Sequence, residues 1–573
     1  VPAAALVGEC LVPGTGSGDV LFSDVPLSFM GGVDPFTGMV TDIHHPLHGA
    51  CVSGRVLVIP SGRGSCSGSG VIVEMLVHGS APAALVFSHH ESILTLGVVI
   101  ARELFGPSIP VLRLAGDDFA ALRGTASAAV TDGVVHAVGS VPPSAPDDVQ
   151  QPAIPLTADD ERILAGEYGE GARTAMRIVL EAARLEGATD LLDVEMGHID
   201  GCFYQGPASL ALAQRLAATG STVRVPTTMN ALLVDRRRWR DLGVSPDVGE
   251  PSDLMADALV TLGVQPSYTC APYLLATRPR FAQQIVWAES NAVVYANSVL
   301  GARTMKYPDY LDLLVALTGR APATSTHLPL ARRATVRVDV DVPGALLDDA
   351  LWPTLGYLVG SVAPHEIPVL TGLQDAAPTD DDLKAFGAAF ATTSAAPMFH
   401  IVGVTPEAAG LEEATAGADV RVVTVDRADL TRTWAELNSA TAEHVDLVSL
   451  GNPHFSLTEC GTLADLCDGR RAADGVRLVV TCGRDVFEQA SAAGHVARVE
   501  RFGGTFLNDT CWCFLAAPVV PDSDAAIVTS SGKYAHYGPA AVGRGLYLRN
   551  LRDCVETAAT GRIATPSSPW LQG

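Results

Sequence analysis

Val56-Leu57-Val58-Ile59-Pro60-Ser61-Gly62-Arg63-Gly64-Ser65-Cys66-Ser67-Gly68-Ser69-Gly70 leads from an apolar strand into a glycine- and serine-rich turn, and an apolar run beginning Val71-Ile72-Val73 follows. Glycines let the backbone turn tightly and approach a ligand closely. The serines supply hydroxyls, and Arg63 supplies a planar fork for a carboxylate or phosphate. A strand that ends in such a turn and enters a helix offers backbone N–H groups to an anion. The spacing differs from that of a phosphate loop ending in Gly-Lys-Ser/Thr, and many Gly-Ser stretches are simply loops. Its meaning therefore rests on what accompanies it along the chain.

Outward from this turn lies a strand-rich unit of residues 1–138, with strands expected at Arg55–Ile59, Ala84–Ser88 and Val111–Leu114. Residues 139–156 read as a linker, because Gly139-Ser140-Val141-Pro142-Pro143-Ser144-Ala145-Pro146-Asp147-Asp148 has little to pack. In the remainder, residues 157–573, Thr157 caps a helical pattern that continues to Leu185. From there apolar strands alternate with helices, at Leu191–Val194, Thr222–Val225, Phe399–Val404, Asp446–Leu450, Arg477–Thr481 and Ala526–Thr529. That alternation predicts an α/β chain with largely parallel sheets, and 157–573 divides into two or three subdomains.

The bulk composition narrows the function. A chain of 573 residues is too long for one core, and 48% hydrophobic with 18% charged residues excludes a largely disordered chain. The formal charge of −25 argues against nucleic acid and against an anionic membrane surface. No apolar run reaches the ~18 residues of a membrane span, and Val1–Leu6 lacks the basic start of a secretory signal. Eleven cysteines in so mixed a chain fit a reducing, cytoplasmic setting.

In open α/β sheets ligands gather beyond the carboxyl ends of strands. Polar groups follow the strands at Gly197–Cys202, Pro226–Asn230, Gly451–His454, Thr481–Asp485 and Thr529–Lys533, and five such ends suggest one convergent site. Cysteines stand at Cys270, at Cys482, and as the pair Cys511 and Cys513, in spacings that match neither a zinc finger nor a ferredoxin run. Single cysteines meeting at strand ends are candidate iron–sulfur ligands, and Cys513 is either a ligand or core. His44-His45 and His89-His90 read as structural, Arg236–Arg238 as a solvated helix face, and Thr379 with Asp380–Asp382 as a helix cap.

Leu27–Asp34, His45-Pro46-Leu47 and Gly62–Gly70 resemble the small swivelling domain of the aconitase X family. Gly197–Cys202, Val225–Asn230, Thr269–Tyr273, Trp287–Asn291, Asn297–Thr304, Asp509–Cys511 and Ser531–Lys533 resemble its large catalytic unit, in the same order along the chain. The resemblance implies an aconitase-like multidomain catalytic unit joined by the Pro-rich linker to a smaller N-terminal swivelling domain. It implies a hydro-lyase with an iron–sulfur cluster, of 2Fe–2S type in the fused branch, with 3Fe–4S and 4Fe–4S as the alternatives. Fusion with the small unit first implies dehydration of cis-3-hydroxy-L-proline to 1-pyrroline-2-carboxylate. The separate-chain branch acts instead on 5-phosphomevalonate, and there a cysteine is expected where this chain has Asn452. Cluster ligands are then expected at Cys270, Cys482 and Cys511. The base is expected at Ser65, with Cys66 and Ser67 as alternatives, and His198 and Asp200 as orienting or proton-donating groups. Substrate contacts are expected from Arg63, Ser67, His45, Ser290, Asn291, Arg303 and Lys533. The implied partner is a small hydroxy amino acid, with no nucleic acid, no membrane and an open oligomeric state. Two further readings are an iron-dependent sensor using the same cleft and a metal-free isomerase built on Cys66.

Overall fold

The computed structural model describes residues 5–140, 153–342 and 348–571. Most of the expected linker, residues 141–152, lies outside that set. The N-terminal unit is built on one eight-stranded sheet of order β1-β8-β7-β3-β4-β5-β6-β2. Its strands are β1 (Leu6–Val7), β2 (Glu9–Val12), β3 (Thr15–Phe22), β4 (Val56–Val58), β5 (Ala84–Phe87), β6 (Val111–Arg113), β7 (Ser127–Thr131) and β8 (Val134–His136). β3, β4, β5 and β6 run parallel, and the Gly-Ser turn leaves the carboxyl end of β4. It enters the helix Gly68–His78, which packs on the helix Ile93–Phe105. Gly97 permits this approach, since a Cβ there would stand 2.4 Å from Ile72 Cγ2 and 2.8 Å from the Ser69 carbonyl.

Three further bodies follow. In the first, β10 (Gly197–Ile199) lies between β11 (Thr227–Met229) and β12 (Val286–Trp287), all parallel, beside an antiparallel pair of β9 (Leu191–Asp193) and β13 (Arg320–Pro322). The second is a parallel sheet of β14 (Val336–Asp341), β15 (Pro368–Thr371), β16 (His400–Ile401) and β17 (Arg421–Asp426). The third carries β18 (Val445–Leu450), β19 (Arg477–Thr481), β20 (Gly504–Leu507), β21 (Ala526–Thr529) and β22 (Leu546–Leu548), again parallel. Thr379 closes a reciprocal capping box with Asp382, as the sequence pattern leads one to expect.

The N-terminal unit and the first body share one continuous apolar core. Polar clamps cross the same seam: Glu74 accepts from the amides of Ala208 at 3.0 Å and Ser209 at 3.3 Å, capping the helix Pro207–Ala218. Arg102 pairs with Glu181 at 2.6 Å.

Several expected elements differ. The helical run from Thr157 breaks into Ala158–Leu164 and Glu170–Leu185, because Gly166 (φ 84°) and Gly169 (φ 94°) take left-handed conformations between them. Thr222–Val225 forms no strand: the amides of Val223 and Arg224 bond to the carbonyls of Leu262 and Ala316, and β11 begins only after Pro226. Phe399–Val404 contracts to His400–Ile401. Arg236–Arg238 forms a turn, in which Arg236 pairs with Asp253 and Asp257 and Arg238 donates to the Phe506 carbonyl. Among the described residues, no helix is long and apolar enough to cross a membrane.

Candidate active site

The carboxyl ends of strands from three bodies point at one cavity of about 50 Å³. The N-terminal unit contributes Met30, Gly31, Ser65 and Ser67; the first body contributes Asn230, Cys270 and Glu289; the third contributes Cys511, Cys513, Phe514, Lys533 and Tyr537. Asn230 directly follows β11, Glu289 follows β12, Ser65 and Ser67 follow β4, and Lys533 opens the helix Gly532–Val542 after β21. Gly64 (φ 80°) brings the serine turn under the third body, since a Cβ there would lie 2.7 Å from Tyr537 Oη.

Three thiols form the far wall. Cys511 lies beside both Cys270 and Cys513, and all three belong to one apolar patch with Ala231 and Phe514. The neighbouring Cys270 thiol and burial push the Cys511 thiol well above its ordinary value. Donors reach the outer two: the His454 amide meets Cys270 Sγ at 3.3 Å, and Asn452 Nδ2 meets Cys513 Sγ at 3.2 Å. Buried His454 fixes this arrangement, with Nδ1 3.1 Å from Thr269 Oγ1 and Nε2 2.7 Å from the Thr510 carbonyl. Cys482 does not join them. It packs in the core of the third body together with Cys460, on the strand face shared by Leu478 and Val480. The three gathered sulfurs are a soft donor set in an apolar pocket beside an ammonium, which fits an iron–sulfur cluster better than a hard cation. Among the described residues, no group of three or more His, Cys, Asp or Glu is arranged around a bare ion.

Across the cavity runs a chain of polar groups. Ser65 Oγ donates to Ser67 Oγ at 3.2 Å, and Ser67 Oγ donates to Asp200 Oδ2 at 3.4 Å. Asn230 Nδ2 bridges Asp200 Oδ1 at 2.5 Å and Glu289 Oε2 at 3.1 Å. Lys533 Nζ donates to Glu289 Oε1 at 2.8 Å. Burial would raise the Glu289 carboxyl, but Lys533 overrides it and holds it at about 2. Burial, reinforced by Asp309 and Glu289, pushes Asp200 far above the usual carboxylate range and favours its protonated form. His198 is buried against Trp287, with Nδ1 2.8 Å from Thr228 Oγ1, and burial holds it neutral at about 3.

The other expected site residues lie around this cavity. Cys66 is fully buried, and its thiol, raised by burial, does not line the cavity. Arg63 pairs with Asp42 at 2.8 Å on the seam facing His536. His45 holds its own loop, with Nε2 3.0 Å from the Val25 carbonyl. Asn291 Nδ2 positions Glu289 at 2.6 Å and the Cys270 carbonyl at 3.1 Å, and Ser290 is buried beside it. Arg303 lies near His327, away from the cavity lining. Sequence reasoning gave no individual role to Glu289 or Asn230, which fall within quoted segments, and did not single out Tyr537 or Asp309. Glu289, directly behind the apolar Val286–Ala288, carried the same strand-end signal as Asp200.

Profiles of the aconitase X family match in four pieces: its swivel domain at residues 5–137, its first domain at 153–329, its second at 334–435 and its third at 445–560. The chain is 49% identical over 570 residues to a cis-3-hydroxy-L-proline dehydratase of Hypocrea jecorina, covering 97% of this chain and 96% of that one. It is 48% identical over 575 residues to a cis-3-hydroxy-L-proline dehydratase of Pseudomonas aeruginosa, covering 99% and 98%. The crystal structure of holo aconitase X from Thermococcus kodakaraensis superposes with a TM-score of 0.64 at 29% identity, covering 71% of this chain and all of that one. Fold and relatives together define a hydro-lyase that carries an N-terminal swivel domain. The chain belongs to the aconitase X family.

Proposed function

We propose that the cleft dehydrates cis-3-hydroxy-L-proline to 1-pyrroline-2-carboxylate, with an iron–sulfur cluster held by Cys270, Cys511 and Cys513. The observation that carries this reading is the small cavity with hydroxyls on one wall and three thiols and an ammonium on the other. Lys533, the cation among the described residues that line it, meets the substrate carboxylate, where charge develops as the C2 proton leaves. Ser65 Oγ takes that proton while passing its own through Ser67 toward Asp200. The departing C3 hydroxyl receives the proton that Asp200 held and leaves as water, so the network ends in its starting state. The enamine product, with its C2–C3 double bond, tautomerises to the cyclic imine without help. Held by these three thiols, one fewer than a full set of four, a cluster would supply a Lewis-acidic iron for the hydroxyl oxygen, and its expected type is 2Fe–2S. The reduced thiols accord with a cytoplasmic setting.

The test is an anaerobic assay of the whole chain with cis-3-hydroxy-L-proline and, separately, with 5-phosphomevalonate, with iron and sulfide measured on the same sample. Turnover of the hydroxyproline alone is expected, since a phosphate calls for more donors than Lys533. Turnover of 5-phosphomevalonate alone would overturn the assignment.

A further inference from the structure

The N-terminal serine turn rests on two buried carboxyl groups, and only one of them has a place in the chemistry above. Asp309 belongs to the segment before the helix Leu311–Thr318, and it grips the turn with its backbone: its amide donates to the Cys66 carbonyl at 3.4 Å, and its carbonyl accepts from Ser69 Oγ at 3.5 Å. Its side chain stands beside the Ser67–Asp200 pair, close enough that a Cβ on Gly201 would lie 3.2 Å from Asp309 Cβ, while Ser67 Oγ donates to Asp200 Oδ2. Gln205 Nε2 reaches Oδ2 at 3.5 Å, whereas Oδ1 is fully buried and has no donor. Two neighbouring buried carboxyls, one of them with an oxygen that no donor reaches, favour holding a proton on the pair.

Charges nearby do not relieve that need. Glu289 and Asp312 add further carboxyls, and the Asp200 amide satisfies Asp312 at 2.7 Å. Cys66, Cys202 and Tyr310 are buried acids kept neutral by desolvation. Lys533 is taken up by Glu289, and Lys306 donates to the Ser394 carbonyl at 3.1 Å.

We propose that Asp309 is a positioning residue which shares one proton with Asp200 and thereby seats the Ser65–Ser67 turn over the cavity, so that docking of the swivel domain takes up a proton. This deepens the functional reading given above, yet its seating claim stands on the seam alone. The sign follows from linkage. A carboxyl pair that holds its proton when buried and releases it when exposed favours the docked state at low pH. Docking then weakens by up to tenfold per pH unit, from the ordinary carboxylate range up to the raised value of the pair.

Amide hydrogen exchange of residues 62–70 in the wild-type enzyme, corrected for intrinsic exchange, reads seating without any turnover. Protection is expected to fall as pH rises, and in Asp309→Asn, whose amide donates to Asp200 without titrating, to change much less with pH. Because the charge of Asp309 helps to raise Asp200, the alkaline limb of kcat/KM in Asp309→Asn should move downward by about one pH unit or more. Protection of 62–70 that is independent of pH in the wild type would overturn the proposal, even if the enzyme turns over its substrate. So would an Asp309→Asn enzyme whose protection and alkaline limb match the wild type. An Asp309→Asn chain that does not fold leaves the wild-type exchange profile as the deciding measurement.

Discussion

Lys533 and Glu289 form a buried pair, 8% and 7% exposed at their side chains, in which each group depends on the other's charge. Replacing Lys533 with Met removes the cation at the carboxylate position and leaves Glu289 buried alone. Breaking a buried pair costs about 3–5 kcal/mol, and loss of transition-state charge stabilisation costs on the order of 10²–10³ in kcat. Steady-state kinetics of K533M with a parallel unfolding curve checks both. Arg303 gives the opposite expectation: because it lies outside the cavity lining, Arg303→Lys should leave kcat/KM within about threefold. A loss of a hundredfold there would return Arg303 to the carboxylate site. The cysteines show what a sequence withholds at this scale. Cys482 and Cys513 both stand near polar strand ends, and nothing in the residues themselves separates them. Strand alternation does: Leu478, Val480 and Cys482 share the core face of β19, while Cys513 sits in a turn that Asn452 and Trp512 anchor.

At the scale of elements, the serine turn was legible because glycine and serine chemistry is local. Its left-handed Gly64 is required twice, by the backbone and by Tyr537 above it. Gly64→Ala should cost about 1–2 kcal/mol in strain and lower kcat/KM by roughly tenfold through displacement of Ser65; thermal unfolding and kinetics of G64A measure the two. Helix caps were readable for the same reason, as the Thr379–Asp382 box illustrates. The break at Gly166–Gly169 was not, since an apolar period running through both helices hides two glycines that the chain uses to turn. The strand after Thr222 was misplaced by a few residues, because the stretch Thr222–Val225 satisfies its amides from two helix ends instead of a ladder.

For the whole molecule, the order of units and their α/β class could be read from alternation and from the Gly-Ser turn. The convergence of Asp200, Asn230, Glu289 and Lys533 could not, because contacts across 244 residues, as between Lys533 and Glu289, leave no local trace. Seating of the N-terminal unit depends on its apolar seam and on Glu74, which is 3% exposed and caps a helix of the first body. Glu74→Ala should remove about 1–2 kcal/mol from that seam, lowering the first calorimetric transition and raising KM more than it lowers kcat. An unchanged first transition would mean that Glu74 plays no part in docking. The central claim is that Cys270, Cys511 and Cys513, and not Cys482, hold the cluster that the dehydration uses. Its most direct measurement is iron and sulfide per chain, with hydroxyproline turnover, in Cys513→Ser and Cys482→Ser purified side by side without oxygen. The account predicts that C513S loses iron and turnover while C482S keeps both. Iron retained in C513S and lost in C482S would contradict it.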